Sequence, residues 1–488
     1  MVELKKTINN FSLSDDSRRK LLNGSNDAPQ EFIDIARKVL AGHFAVKKTE
    51  GKIMVRPTVV ELYYHEEQEG GIKDPIVYHR NSKNNTEMIF PLGTLHNHVS
   101  GIDITFEHGG SPLTAVRASI LIREFEVNGR NDERSTKLYE ALYQQASLFN
   151  GISVEWMDGD RLPDVVTSPR KNVAMFYNDG DKMKAKDHPE LPHTNDSKFV
   201  QDMRKWQFKK KKVFDADSNT VYISGWLKID HPVFYNRFVN LLSSIGIPYC
   251  VMPNTNDIWA RDYMPIQIYE DHFVQYCYNP DYLRNSDSEE DRESITDTDA
   301  VCKELGISCY KSDLIIDGGN VIKVGDHIIM TEKVYLENAH LSPSIIRKQL
   351  KEIFHANIIM LPWDKKYEIY GHTDGILRAI DNRTVLMTNY GDFGPGYAAR
   401  FEKILKEHFE VKKLRYNTNK RYKESWAYIN FLHVGKHIII PGFGVPEDKQ
   451  ALEQIQEYYP ECSVHQIECR EIVENGGALN CVTWNIKR

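Results

Sequence analysis

The sequence predicts an α/β protein in which a separate α+β amino-terminal domain precedes a five-bladed propeller of ββαβ units. Two observations from the second half of the chain support this prediction. Pairs of strand-like runs recur there at intervals of 53 to 56 residues, and amphipathic helical patterns lie between the pairs. Because one such unit cannot bury its own apolar face, we expect the units to pack side by side in a closed ring.

Each pair of strand-like runs encloses a short polar turn, which is the pattern of a β-hairpin. The turns centre on Asp217, Glu270, Gly325, Asp381 and Gly435. The hairpins read KVFDADSNTVYIS, MPIQIYEDHFVQYCY, NVIKVGDHIIMTEKV, GILRAIDNRTVLMTN and YINFLHVGKHIIIPGF. Closure of the ring also removes exposed sheet edges.

The segments between the hairpins carry apolar residues three and four positions apart, as helices do. They read HPVFYNRFVNLLSSIG, SPSIIRKQLKEIFHA, YAARFEKILKEHFE and PEDKQALEQIQEYY. Some open with Ser or Pro, which favour the first turn of a helix. The sequence therefore predicts a helix after four of the five hairpins, the second being the exception.

Composition excludes several classes of protein. With 41% hydrophobic residues, 27% charged residues and a net charge of −7, the 488-residue chain is typical of a folded protein and has no strongly basic half for nucleic acid. It has no apolar run of about 18 residues and no apolar segment near its first residue, so we expect a cytoplasmic protein without a membrane partner. The seven cysteines, from Cys250 onward, form no CxxC pair, so neither a structural zinc site nor a disulfide framework is expected.

Polar residues that interrupt the apolar pattern share one phase of the repeat. They lie five to nine positions before a turn and are Asp262, Gly319, His372, Asp374 and Asn430. Cys481 occupies the same phase of a notional next unit. Because equal phase in a ring of equivalent units means equal radial position, we expect these residues to meet near the axis.

This set of side chains suits hydrolysis of a guanidinium. That group is a poor electrophile, because its charge is delocalised and its pKa lies above about 12. Its hydrolysis requires carboxylates that hold the planar cation, a strong nucleophile, and an acid for the departing nitrogen. Asp262 and Asp374 can supply the carboxylates, Cys481 the nucleophile and His372 the acid. Taken singly, each also has a structural explanation, such as a buried apolar cysteine or an ion pair of Asp262 with Arg261.

Neighbouring residues complete the candidate site. The glycines before Cys481 allow a ligand to approach the backbone closely. Trp259 can line a pocket, although a large aromatic side chain also suits a core. The candidate substrate-binding residues are Trp259, Arg261, Gly319, Asn430 and Gly477.

A resemblance to a known family rests on five motifs. NDIWARDYMPIQ, IIDGGNVI, YGHTDGILR, YINFLHVGKHIIIPGFG and ENGGALNCVTW occur in the order and approximate spacing of the bacterial agmatine deiminase and peptidylarginine deiminase family. From about residue 213 to its end the chain resembles this family, whose fold is the pentein, a five-bladed α/β propeller.

The resemblance implies specific roles. Cys481 matches the nucleophile, His372 the general acid and base, Asp262 and Asp374 the carboxylates that bind the guanidinium, and Asn430 a pocket position. It also implies a covalent amidino-thioether, loss of ammonia and attack by water to leave a ureido product. Neither a metal nor an organic cofactor is expected for this chemistry.

Two features depart from agmatine deiminases. Those enzymes typically carry a third glycine and a histidine just before the nucleophile, where this chain has Asn475 and Asn480. The segment after IIDGGN also lacks their acidic glycine-rich ending. The expected substrate is therefore a small guanidine or an arginine-containing peptide. The choice among agmatine, free arginine and peptidyl-arginine stays open, as does transfer to an acceptor amine instead of water.

The predicted domain boundaries are an amino-terminal domain at residues 1–205, a basic linker at 206–213 and the deiminase-like domain at 214–488. Residues 34–127 weakly resemble the methylpurine DNA glycosylase fold through IARKVLAGHF, VVELYYHEE, DPIVYHRNSKNNTEMIFPLG and SILIREFEV. In that family a Glu and a Tyr act on a flipped base. Here the alignment leaves either Glu61 or Tyr63 in the place of the acid. We interpret the domain as a module that binds a ligand or a partner.

Two alternative functions remain. The chain could be a DNA-associated protein with an active glycosylase-like domain, or a catalytically inactive pentein that serves as a binding scaffold. His96 and His98 in HNHVSG could suggest a metal, but two histidines without further ligands are more often hydrogen-bonded turn residues. The sequence does not determine the oligomeric state.

Overall fold

The computed structural model describes residues 2–48, 51–74, 77, 89–143, 153–171, 174–175, 200–418 and 422–488. The chain divides into two compact units, Met1–Lys211 and Lys212–Arg488. Over the described ranges, no helix is both long enough and apolar enough to cross a membrane. Most of the predicted glycosylase-like motif at residues 74–93 lies outside the described residues.

The first unit combines helices with one large sheet. Its helices are α1 (Val2–Asn9), α2 (Asp15–Leu22), α3 (Gln30–Ala41) and α4 (Leu138–Tyr143). Its strands are β1 (His43–Lys48), β2 (Gly51–Glu66), β3 (Leu95–His98), β4 (Gly101–Thr105), β5 (Val116–Val127), β6 (Arg130–Asp132), β7 (Ser153–Met157), β8 (Val165–Ser168), β9 (Ala174–Met175), β10 (Val200–Gln201) and β11 (Gln207–Lys210). All except β9 and β10 belong to a nine-stranded sheet with the central order β3-β4-β5-β2-β1-β7.

Helix α3 packs on this sheet through one face. Its buried residues recur at spacings of one, three and four, which places them on a single side of the helix. They are Phe32, Ile35, Ala36, Val39 and Leu40. These side chains join those of β2 and β5 in the hydrophobic core of the unit.

The boundary between the units differs from the predicted basic linker. Residues Gln207–Lys210 form β11, which pairs with both β2 and β8. Trp206 and Phe208 are fully buried in the core of the first unit. Their burial holds the segment in the sheet, so most of residues 206–213 is not a linker. The run of lysines obscured these two apolar anchors in the sequence.

The second unit contains five three-stranded sheets. Its helices are α5 (Trp226–Asp230), α6 (Pro232–Ser244), α7 (Ala260–Tyr263), α8 (Asp281–Arg284), α9 (Glu289–Glu293), α10 (Thr298–Glu304), α11 (Lys333–Glu337), α12 (Pro343–Phe354), α13 (Pro395–Leu405), α14 (Pro446–Tyr458) and α15 (Arg470–Val473). Its strands are β12 (Thr220–Ser224), β13 (Tyr249–Met252), β14 (Ile266–Tyr269), β15 (His272–Cys277), β16 (Tyr310–Ile315), β17 (Ile322–Val324), β18 (His327–Thr331), β19 (Asn357–Leu361), β20 (Leu377–Ala379), β21 (Thr384–Met387), β22 (Glu410–Lys413), β23 (Leu432–Val434), β24 (His437–Gly442), β25 (Ser463–Glu468) and β26 (Thr483–Ile486).

Four of these sheets repeat one topology. An antiparallel hairpin is followed by a helix and then by a third strand that pairs in parallel with the second. The sheets are β14-β15-β16, β17-β18-β19, β20-β21-β22 and β23-β24-β25. They confirm four of the five predicted hairpins and the predicted helices after three of them, whereas the short helices between β15 and β16 were not predicted.

The fifth sheet corrects the first predicted hairpin. Strand β12 pairs in parallel with β13, but its antiparallel partner is β26 rather than the preceding residues. Those residues include the 3-10 turn Asp215–Asp217. The true partner lies at the other end of the second unit, so a pattern that compares adjacent segments cannot detect it. The pairing places the segment with Cys481 directly ahead of β26, in the sheet β13-β12-β26.

Candidate active site

Each predicted polar residue lies on a short segment that leads into a β-strand. Asp262 is in α7 ahead of β14, and Gly319 is in the 3-10 turn Gly318–Asn320 ahead of β17. His372 caps the turn Thr373–Gly375, which contains Asp374, and Asn430 caps the turn Ser425–Ile429. Cys481 precedes β26 by two residues. Equal phase in the sequence therefore corresponds to an equivalent place in each sheet.

A cavity of about 320 Å³ brings four of these side chains to a common surface. Cys481, His372, Asp374 and Asn430 line it, although the segments that carry them lead into three different sheets. The rest of the wall is largely aromatic, with three charged side chains, and consists of Lys366, Tyr367, Glu368, Ile369, Tyr370, Gly375, Tyr390, Phe393, Lys423, Trp426 and Gly476.

Cys481 is 7% exposed, and its thiol lies among hydrogen-bond acceptors. Its Sγ is 3.6 Å from Oδ2 of Asp374 and 3.3 Å from Oδ1 of Asn430. Burial and the negative charges of Asp374 and Asp262 raise the pKa of Cys481 well above its usual value. The group is therefore a neutral thiol near neutral pH.

Two asparagines fix the Cys481 segment against Asp374. The side-chain amide of Asn480 donates to Oδ2 of Asp374 at 2.7 Å. The backbone N–H of Cys481 donates to Oδ1 of Asn430 at 3.3 Å. Asn480, which marked a departure from agmatine deiminases, thus orients the carboxylate beside the sulfur.

The imidazole of His372 lies between two carboxylates. Its Nε2 is 3.0 Å from Oδ2 of Asp317, and its Nδ1 is 3.7 Å from Oδ1 of Asp262. Burial alone would lower the pKa of His372, but the charge of Asp262 and the hydrogen bond with Asp317 outweigh it and raise the pKa to about 10. The ring is an imidazolium at neutral pH, and Nδ1 is the nitrogen that Asp317 leaves free.

Asp262 is buried but keeps hydrogen-bond partners. Its Oδ1 accepts the backbone N–H of Gly319 at 2.9 Å, and its carbonyl accepts the hydroxyl of Tyr276 at 2.7 Å. Burial and the charges of Asp317 and Asp374 raise the pKa of Asp262 to about 7, against the opposing effect of His372. The carboxyl is consequently poised to change charge near neutral pH.

Asp317 and Lys333 belong to the site but were not predicted. The ammonium of Lys333 is 2% exposed and lies 3.3 Å from Oδ2 of Asp317, 3.1 Å from Asp281 and 2.9 Å from Glu337. Burial would raise the pKa of Asp317, but the hydrogen bond with His372 and the charge of Lys333 lower it. An acidic residue in phase with the other polar positions was the available signal for Asp317. Lys333, at the end of the predicted hairpin NVIKVGDHIIMTEKV, gave no such signal.

Glycine is required at two positions, because a side chain there would collide with neighbouring groups. A Cβ on Gly319 would lie 2.7 Å from Oδ1 of Asp262 and 2.8 Å from Nδ1 of His372. A Cβ on Gly477 would lie 2.3 Å from the ring of Trp259. Gly319 therefore admits the pairing of His372 with Asp262, and Gly477 admits the half-buried Trp259 beside the Cys481 segment.

Arg261 is hydrogen-bonded to the segment that carries Cys481. Its guanidinium donates to Oδ1 of Asn485 and, at 3.4 Å, to the carbonyl of Asn480. Its backbone N–H donates to the carbonyl of Cys481 at 3.0 Å. The residues that line the cavity do not include Arg261, and they also do not include four other predicted site residues, Trp259, Asp262, Gly319 and Gly477. Arg261 is therefore a positioning residue for the Cys481 segment.

In the first unit, Glu61 and Tyr63 share one hydrogen-bonded cluster. The hydroxyl of Tyr63 donates to Oε2 of Glu61 at 3.0 Å. Oε1 of Glu61 accepts the backbone N–H of Lys171 at 2.8 Å and the side-chain amide of Gln207 at 2.7 Å. Glu61 has no exposed surface. This packing gives Glu61 a structural function in the sheet.

Comparisons with known proteins match the second unit. The family model for the Porphyromonas-type peptidyl-arginine deiminases matches residues 228–486. A protein from Vibrio parahaemolyticus named as an agmatine deiminase is 26% identical over 274 residues, which cover 47% of this chain and 76% of that protein. One of the same name from Mycoplasma capricolum is 23% identical, over 38% of this chain and 60% of that protein.

Solved structures are similar to just over half of the chain. The agmatine deiminase of C. jejuni has 21% sequence identity and a TM-score of 0.47, and the match covers 57% of this chain and 96% of that one. The agmatine deiminase of Enterococcus faecalis has 18% identity and a TM-score of 0.46, covering 56% of this chain and 94% of that one.

Proposed function

The chain belongs to the Porphyromonas-type peptidyl-arginine deiminase family and is a hydrolase of carbon–nitrogen bonds in amidines; from that premise we propose that it deiminates a guanidino compound through Cys481. The observation that carries the proposal is the geometry of the cavity. A thiol, an imidazolium and the carboxylate of Asp374 line a space for one small cation, and the carboxylate of Asp262 lies 3.7 Å from the imidazolium.

Substrate binding is the first step. Asp374 lies beside the sulfur and Asp262 beside His372, so a planar guanidinium between them can donate N–H groups to both carboxylates. A neutral urea offers no positive charge to the carboxylates, so it should bind poorly.

We infer further that the five sheets are the equivalent blades of a ring around this cavity, because each contributes the residues of one phase.

The bound cation also activates the nucleophile. Positive charge beside Sγ offsets the negative charges that keep the thiol protonated, so the thiol loses its proton to solvent on binding. The thiolate attacks the central carbon and forms a C–S bond as the C=N π bond becomes a lone pair on nitrogen. His372 donates its Nδ1 proton to the departing nitrogen, the C–N bond breaks and ammonia leaves.

Water completes the reaction. Neutral His372 now accepts a proton from water, whose oxygen adds to the carbon of the amidino-thioether. The C–S bond then breaks as a C=O bond forms, the thiolate leaves, the hydroxyl proton passes to solvent, and the carbon keeps oxygen in place of nitrogen as a ureido group. Asp317 holds Nε2 of His372 throughout, and Lys333 keeps Asp317 ionised for that purpose.

The chemical class of the substrate is tested by a panel. Purified protein is offered agmatine, free arginine, methylated arginines and arginine-containing peptides, and ammonia and ureido product are measured together. We expect at least one member to give both products in equal amounts. Product in which an added amine replaces water would indicate amidino transfer, and silence across the panel in folded protein would contradict the proposal.

The pH dependence of kcat/KM should be bell-shaped. Below pH of about 7 Asp262 takes up a proton, because its pKa is about 7, and the site loses a charge that binds the cation. Above pH of about 10 His372 loses its proton, because its pKa is about 10, and the leaving nitrogen has no acid. Glu368 also lines the cavity, and burial raises its pKa to about 7. Its protonation should make the fall of kcat/KM on the acidic side steeper. Initial rates at low substrate concentration measure both limbs. A profile flat from pH 6 to 11 would contradict these assignments.

A further inference from the structure

A second group of ligand-type side chains lies in the first unit, on neighbouring strands. His96 and His98 are two apart in β3, so both project from the same face of the sheet. Asp103 of β4 is the direct cross-strand partner of His96. The pairing therefore brings two imidazoles and one carboxylate to a single patch, which the two histidines alone did not indicate.

The separation of these groups suits a shared ion. One donor atom from each of His96, His98 and Asp103 lies within 4.8 Å of the other two. Nε2 of His98 is 3.2 Å from Oδ2 of Asp103. Two ligands with bonds of about 2.0 to 2.1 Å in tetrahedral geometry lie about 3.3 Å apart, so this distance fits a bridging cation as well as a hydrogen bond.

Surrounding residues hold the three side chains in place. The hydroxyl of Ser119 on β5 donates to Oδ2 of Asp103 at 3.2 Å, and Asp103 is 4% exposed. The ring of His96 packs edge-on against Phe90, with centroids 4.8 Å apart. A carboxylate oriented by a second hydrogen bond is the support that metal ligands usually have.

We propose that His96, His98 and Asp103 form a binding site for a first-row divalent transition metal, with Zn²⁺ as the best match. Two imidazoles and one carboxylate are a known ligand set for this ion and leave a fourth position for water or a ligand. The histidines are partly exposed and the aspartate is buried, so the site is open on one side.

Binding requires one local change. Nδ1 of His98 accepts the backbone N–H of Ser100 at 3.2 Å, so in the absence of metal the ring proton sits on Nε2 and faces Asp103. An ion at Nε2 displaces that proton and leaves Nδ1 protonated, so the Ser100 contact must open. The turn carries Val99, which is 90% exposed, and can move without loss of core packing.

Metal titration tests the site directly. Full-length protein is stripped with a chelator and titrated with Co²⁺, a spectroscopic substitute for Zn²⁺, while visible absorption and bound metal by dialysis are followed. We expect one tight equivalent, weakened at least about 10-fold by Asp103→Asn or His96→Gln. His437→Gln is the matched control, because His437 lies 3.2 Å from His465 in a histidine pair outside the cluster.

Several outcomes would overturn the proposal. They are the absence of a tight equivalent, affinity unchanged in both variants, or near-ultraviolet charge-transfer bands of the kind that cysteine thiolates give. Thermal unfolding of each variant verifies that it is folded, and the partly exposed His96 supplies a second variant if Asp103→Asn is unstable. The readout is metal binding alone, so it is independent of deimination by the second unit.

Discussion

Replacement of Cys481 by serine should lower the rate of ureido product formation by a factor of about 10⁴ or more, the scale seen when a catalytic nucleophile is removed. A serine hydroxyl in the same place is far less acidic than a thiol, and the bound cation cannot ionise it near neutral pH. The loss should appear in kcat, while substrate still raises the unfolding temperature of the variant, because the carboxylates remain.

The control for this substitution is Cys462→Ser. Cys462 is half-buried and its Sγ is 3.7 Å from Nε2 of His433, so it reproduces a thiol–imidazole pair away from the cavity. Its activity should equal that of the wild type. Equal losses in the two variants, or full turnover by Cys481→Ser, would contradict the assignment of the nucleophile.

The second large effect is expected for Asp374→Asn. Removal of one charge from a buried ionic contact costs about 3 to 5 kcal/mol, or a factor of about 100 to several thousand. The substituted amide keeps the size of the side chain but repels the N–H groups of a guanidinium, so KM should rise together with the fall in kcat/KM.

The same substitution should make the thiol of Cys481 more reactive, although it slows catalysis. Asp374 is one of two carboxylates that raise the pKa of Cys481, so without its charge the pKa of the thiol falls. Alkylation of Cys481 by neutral iodoacetamide in the absence of substrate should therefore become faster, although catalysis becomes slower. Asp448→Asn is the control, since Asp448 accepts backbone N–H groups at the start of α14, outside the cavity. Slower alkylation in Asp374→Asn would indicate a structural defect instead.

The repeat in the sequence was sufficient to predict the four polar residues that the cavity draws from separate segments of the chain. Cys481, His372, Asp374 and Asn430 share a phase, and the structure places all four on one cavity wall. The glycine pattern also had a physical basis, because Gly319 leaves room for the contact between His372 and Asp262. Phase identifies a position within a unit, so it can find residues that act at equivalent places.

The phase of a residue within the repeat cannot identify contacting residues that come from other places in the unit. Lys333 reaches Asp317 from a helix, where a buried lysine looks like any other helical residue until the packing is known. Strand β26 pairs with β12 from the far end of the chain, so adjacent segments did not reveal it. Arg261 adjoins Asp262 in the sequence, but its guanidinium donates to Asn485 and Asn480 within the protein.

The proposal that sulfur attacks the guanidino carbon is tested most directly by mass spectrometry of the protein quenched in acid during turnover. The proposed mechanism predicts an amidino group on the peptide that contains Cys481, present only while substrate is being consumed and missing from Cys481→Ser. Water attacks this intermediate with the help of His372, so the adduct should accumulate in His372→Gln if the first step still occurs. An unmodified Cys481 peptide in wild-type protein during sustained turnover, together with an adduct on another residue, would contradict it.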